Sequence, residues 1–188
     1  MHEHLKRYLN LNITLSGDKL NEIVRHFKPL TVKKNTILLS KGEVCNKLYF
    51  VNTGCIRTYY ITGQGHEKTR FIAFEGMIAT VLNSLISQQP SFEFIDVLEN
   101  AELLYITRSN FYRLVNEMKE WEKFYLKLLE FAYLYQNKKI EDLVTLSAGE
   151  RYAILIKERP DYIQRLSNKI LASYLDVTQE TLSRLKSK

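Results

Sequence analysis

The sequence predicts an α+β protein with short β-strands first, helices afterwards and a helix-turn-helix at the end. Three observations carry this prediction. Gly42, Gly54, Gly63, Gly65 and Gly76 crowd one early stretch, whereas Ser91 to Ala148 contains neither Gly nor Pro. Between Leu30 and Thr107 apolar residues come in short β-rich runs, and after Arg108 their period becomes helical. The chain then ends on SNKILASYLDVTQETLSRLKSK, two short helical patterns broken at a lone Asp.

Taken in order, the first element is a helix opened by Ser16 as N-cap, with Leu20, Ile23, Val24 and Phe27 on one face. The runs TILLS, KLYFVN, CIRTYYI, KTRFIAF, SFEFIDV and ELLYIT follow, separated by turn signals such as KGE, NTG and TGQG. Short strands at this spacing suit a small sandwich or barrel. Beyond Arg108, a single helix running to Ala148 would be too long for a small domain, so two are expected. Ser109 caps the first, to about Met118, and the second runs from about Glu120 to Leu143.

In that second helix Trp121, Phe124, Leu128, Phe131 and Tyr135 are spaced three and four apart, which is a heptad seam. Such a stripe can cover its own sandwich or face a second copy of the helix. Tyr125, Leu129, Ala132 and Tyr133 offer another apolar face for the domain itself, so the five-residue stripe is assigned to a parallel homodimer.

A further helix from Ser147 to Lys157 is closed by Pro160, with DYIQR as a short connection. The spacing beyond it is that of a helix-turn-helix. Leu171 and Leu175 point inward, Ala172 allows a close crossing, and Asp176 occupies a turn position that favours positive φ. Val177, Thr178 and Leu182 form a hydrophobic staple around an N-cap. Leu182 and Leu185 face inward, leaving Gln179, Glu180, Ser183, Arg184 and Ser187 outside. Gln can pair with adenine, Glu can accept from the cytosine amino group, and Arg can grip guanine O6 and N7. Lys169, Lys186, Lys188 and Thr178 suit phosphates, which position a helix without specifying sequence.

Charge agrees with that reading without proving it. The 188 residues carry 27 Lys/Arg against 21 Asp/Glu, a net +6, and the 8 basic and 5 acidic residues from Thr145 onward concentrate the excess at the end. No apolar run approaches the roughly 20 residues of a membrane span, and Met1 to Leu20 lacks a signal-peptide core, so a cytoplasmic protein is expected. Cys45 and Cys55 lack CxxC spacing and are read as buried free thiols. His2, His4, His26 and His66 have no ligand spacing, so neither metal nor cofactor is expected.

Several segments resemble the cyclic-AMP receptor/Fnr family of bacterial transcription regulators. LLSKGEVCNKLYFVNTGCIRTYY resembles its β-roll; FEGMIATVLNSLISQQPSFEFIDVLENAELLYITRSNFYRL resembles its later strands and small helix; LASYLDVTQETLSRLKSK resembles its DNA-reading motif. PSFEFIDVLENAELL is closest to Bacteroidetes-type variants. In QETLSR, Glu180, Thr181 and Arg184 match the family's recognition phrase, and Gln179 replaces its first arginine. The resemblance implies a cyclic-nucleotide-binding-like jelly-roll sensor over 1–118, a dimerisation helix over 119–144 and a winged helix-turn-helix over 145–188. It implies double-stranded DNA as partner, with RNA polymerase beside it, and a hinge near Leu143 to Gly149 through which an effector acts. The family's ribose and phosphate pairs fall at Ala79 with Thr80 and at Phe92 with Glu93. An acid where the phosphate arginine belongs argues that the effector, if there is one, is not cyclic AMP.

Two other classes compete. Cupin enzymes share the jelly roll, but need His and Glu ligands converging inside it. The His-x-His pair here, His2 and His4, lies outside. A protein-interaction module that has lost DNA contact would not need Ala172, Thr178, Glu180 and Arg184 in place.

Overall fold

The structure is a computed structural model that describes residues 2–187. It divides into two units. One comprises the chain up to Tyr59 together with Ile72–Glu130; the other comprises Tyr60–Phe71 and the chain from Phe131 onward.

The first unit is a β-roll with helices. Its strands are β1 (Lys28–Val32), β2 (Ile37–Leu39), β3 (Lys47–Thr53), β4 (Ile56–Ile61), β5 (Glu67–Ala73), β6 (Ile78–Ala79), β7 (Phe94–Val97) and β8 (Ala101–Thr107), the outer ends of β4 and β5 counting with the second unit. They form two four-stranded sheets, ordered β1-β8-β3-β6 and β2-β7-β4-β5. The six strand runs read from the sequence are all present, and β1 and the two-residue β6 are additional. β3 pairs antiparallel with β8, Tyr49 opposite Tyr105 and Phe50 opposite Leu104. It reads as a continuous apolar run because both of its faces are covered.

The helices are α1 (His2–Asn12), α2 (Gly17–Arg25), α3 (Leu82–Ser87), α4 (Arg108–Glu117) and the long α5 (Lys119–Thr145). Ser16 caps α2 as expected, accepting from the Lys19 amide. The cap of α4 is Thr107 and not Ser109: the Thr107 hydroxyl accepts from the Asn110 amide, and Ser109 lies in the first turn. Met118 takes an extended conformation, φ −135°, and so ends α4 one residue before α5 begins. α1 is additional to the expected elements, and its Leu5 and Leu9, one turn apart, are fully buried. Helices α1, α2, α4 and α5 and the sheet β1-β8-β3-β6 share a core of Leu5, Leu9, Ile23, Phe50, Leu104 and Phe111 with their neighbours.

That core also takes Trp121 and Phe124, both fully or almost fully buried. The Trp121 indole donates to the Phe111 carbonyl at 3.2 Å, and Leu128 packs against the same cluster. The first three residues of the expected dimer stripe are therefore covered by their own unit, a correction to that assignment. The heptad period was right, but it marked burial within the chain.

Two features fix the roll. Gly54 has φ +89°, and a Cβ there would meet the Asn100 carbonyl oxygen at 2.5 Å, so only glycine fits this turn. Arg57 on β4 is buried and grips Asp96 on β7 with two bonds, Nε to Oδ1 at 2.8 Å and a terminal nitrogen to Oδ2 at 2.9 Å. Its guanidinium also lies 4.0 Å from the Tyr59 ring centre.

In the second unit, the rest of α5 leads to α6 (Ala148–Glu158), α7 (Pro160–Arg165), α8 (Asn168–Leu175) and α9 (Gln179–Lys186). DYIQR is thus helical and not a connection, with Pro160 in the first turn where its missing N–H costs nothing. Among the described residues no strand follows β8, so the wing implied by the resemblance is not described, and no helix is long and apolar enough to cross a membrane.

Candidate nucleic-acid interface

The candidate interface is built on three caps and one left-handed residue. Ser147 and Glu150 form a complete capping box at α6, and the Ser147 hydroxyl and backbone N–H hold the Glu150 carboxyl below its ordinary range. Ser167 caps α8 and Thr178 caps α9. Between them Asp176 adopts φ 58°, ψ 46°, the left-handed geometry expected of the turn. Leu171, Ala172, Leu175 and Leu182 are buried at the crossing, while Leu185 is half-buried.

Arg151 completes the frame. From α6 it donates to the Leu146 carbonyl at 2.7 Å and twice to the Leu175 carbonyl, at 3.1 and 3.2 Å. One guanidinium thus serves the carbonyl ends of α5 and of α8, where cations are favoured. Nothing in the sequence singled this residue out, because its partners are backbone groups 5 and 24 residues away.

On α9, Gln179, Glu180, Ser183, Arg184 and Ser187 are all exposed. At about 100° per residue they fall within an arc of about 140°, opposite Leu182. Arg184 is held lightly, a terminal nitrogen 3.4 Å from the Thr181 hydroxyl, which itself contacts the capping Thr178. Lys186 reaches the Asn168 side chain at 2.6 Å, and Lys188 lies outside the described residues. Lys169 is paired with Glu67 at 2.6 Å.

That last contact belongs to a wider one, in which the outer half of β5 lies along α8. The Thr69 amide and hydroxyl both meet the Ser173 hydroxyl at 2.8 Å, and Lys68 pairs with Asp176. Lys139 of α5 donates to the Thr69 and Arg70 carbonyls at 2.7 and 3.0 Å. Tyr135 donates to the Arg70 carbonyl and meets the Tyr174 hydroxyl, each at 3.2 Å. Tyr135 is therefore engaged within its own unit, while Phe131 is exposed.

The effector candidates all lie in the roll, each with its own setting. Ala79 is buried on β6 opposite Tyr49. The Thr80 hydroxyl donates to the Lys47 carbonyl at 2.9 Å and lies 3.3 Å from the Cys45 sulfur. Phe92 is 71% exposed, whereas Glu93 is buried. Cys45 and Cys55 are both buried free thiols.

Comparison with known proteins is consistent with this geometry. Residues 29–118 match the cyclic nucleotide-binding domain. The anaerobic regulatory protein of Haemophilus influenzae is 25% identical over 179 residues, spanning 89% of this chain and 68% of that protein. The fumarate and nitrate reduction regulatory protein of Vibrio cholerae is 26% identical, with 89% and 70% covered, so the chain spans about two thirds of these relatives. Among solved structures, FixK2 from Bradyrhizobium japonicum superposes with a TM-score of 0.76 at 17% identity, covering 86% of this chain and 83% of that one. A CooA mutant from Carboxydothermus hydrogenoformans gives 0.72 at 22% identity, covering 93% and 84%.

Proposed function

Because the chain belongs to the Crp/Fnr family of transcription regulators, we propose that it acts as a homodimer reading an inverted-repeat operator through α9. The observation that carries this is the exposed face of α9, with Gln179, Glu180, Ser183 and Arg184 over a buried Leu182. In such a dimer two copies of α9 enter successive major grooves about 34 Å apart.

Arg184→Ala is expected to cost about 1–3 kcal/mol of specific binding and to relax preference at one G·C pair. Lys186→Ala, a phosphate contact, should weaken all sequences alike. Competition between operator-like and random duplexes at moderate salt measures both. An unchanged ratio of specific to random affinity in Arg184→Ala removes its base-reading role, and no retention of the wild type on any duplex removes the proposal.

The dimer seam lies elsewhere on α5 than the sequence suggested. Leu126, Tyr133 and Ile140 are spaced by one heptad each and all exposed, Tyr133 at 67%, with the exposed Leu143 and Val144 beside them toward the end of the helix. This stripe is the expected one displaced by five residues, about 140° around the helix. Asn137 interrupts it, and a polar residue in a seam sets register at some cost in stability.

Cyclic AMP and cyclic GMP are not the effector. Their phosphate would need a buried cation, and the aligned position carries the carboxylic acid Glu93 in place of the arginine that would supply one. Arg57, the basic side chain of β4, already holds Asp96. Arg70 on β5 donates to Gln136 at 3.1 Å. Calorimetric titration with either nucleotide is expected to show no binding up to about millimolar concentration, equivalent to less than about 4 kcal/mol. A micromolar dissociation constant would reverse this assignment.

A further inference from the structure

We propose that the cleft enclosed by the last turns of α5, by α6 and by α8 is a binding site for a small organic anion, a carboxylate on an aromatic or branched apolar body. The cleft holds about 270 Å³, room for a ring and a carboxylate. Its apolar lining is Leu143, Ile154, Leu155 and Leu175, with Tyr135 and Tyr174 supplying aromatic surface.

The charges around it have one gap. Lys138 is paired with Asp142 at 2.8 Å, Arg159 with Asp161 at 2.8 Å, and Arg151 is engaged by the Leu146 and Leu175 carbonyls. Glu158 stands exposed at the edge. Lys139 is different. Its ammonium lies 4.2 Å from the Tyr174 ring centre and donates to two carbonyls, and among the described residues it has no carboxylate partner. An ammonium carries three donors, so one remains beyond the two carbonyls. Burial and the nearby Arg70 push its pKa down to about 8, against the opposing pull of Asp176, which pairs with Lys68 and not with Lys139. A carboxylate seated in the cleft supplies that charge, while its apolar body covers Ile154 and Leu155. An amide of the same shape fills the space and can accept a hydrogen bond, but brings no counter-charge. The site touches α5 and α6 on either side of the Leu146–Ser147 link.

Benzoate and benzamide, titrated calorimetrically into the full chain, test this without DNA. Benzoate should bind at millimolar or lower concentration and at least about tenfold more tightly than benzamide, and Lys139→Gln should remove that tenfold difference. Ile154→Trp, which fills the cleft, should abolish benzoate binding, while Lys157→Gln on the exposed side of α6 should leave it unchanged. Thermal unfolding of each variant, followed beforehand, shows that it is folded. The proposal is overturned if benzoate fails to bind the wild type at about 10 mM, some 3 kcal/mol. It is equally overturned if benzamide binds as well as benzoate, or if Ile154→Trp binds benzoate undiminished.

Discussion

A chain carrying Tyr133→Glu together with Ile140→Glu is expected to sediment as a folded monomer at concentrations where the wild type forms the proposed dimer. Both side chains are exposed in the single chain, so a carboxylate at either position costs the isolated fold little. In a dimer the four carboxylates would have to leave water and face one another across the seam. If each pair costs only about 2 kcal/mol, dissociation strengthens about a thousandfold. Specific DNA affinity should collapse with it, because one α9 reads only half of an inverted repeat. Phe124→Glu makes the contrast: it places a charge in the core beside Trp121 and Tyr8, and should unfold the first unit instead of dividing the dimer. A double variant that stayed dimeric would remove the Leu126, Tyr133 and Ile140 stripe from the account, and a folded monomeric Phe124→Glu would restore the original one.

Arg57→Met should be the most damaging single substitution in the roll. The guanidinium meets Asp96 through two bonds and stacks on Tyr59, and both charged side chains are buried. Removing one partner of such a pair leaves a buried charge and costs about 3–5 kcal/mol, about 10 °C in the melting midpoint at about 2–4 °C per kcal/mol. Replacing both, as Arg57→Met with Asp96→Val, should recover much of that loss, since desolvation of the pair offsets most of its attraction. Chemical denaturation of the four members of the cycle gives the coupling directly. A coupling near zero would show that the two bonds contribute nothing beyond packing.

Much of this architecture was legible because local chemistry and the final structure agree. Ser16, Ser147 and Thr178 cap their helices as their side chains suggest, and Asp176 takes the left-handed turn. The helix-turn-helix rests on such short-range signals, and so did the outward face of α9. Elsewhere the information was not local. A heptad of aromatic residues shows that a helix has an apolar face, but the same period serves a partner chain or the chain's own core, and Trp121 went to the core beside Phe27 and Phe111. Ser109 and Thr107 are equally good caps, and the choice fell to the residue at the end of a β-strand, whose backbone was already extended. The contact of Thr69 with Ser173 and the cleft around Lys139 join residues far apart in the chain. No spacing rule could have brought them together.

Arg151 gives the second unit a property of its own. A helix end ordinarily frays independently, since its last carbonyls can turn to water one by one. Here the carbonyls of Leu146 and Leu175 draw on a single planar guanidinium. Loosening the last turn of α5 releases the cation that also closes α8, just before the left-handed Asp176. The link after α5 and the turn before α9 are therefore expected to melt or hold together, and a ligand that orders one of them to lend rigidity to the other.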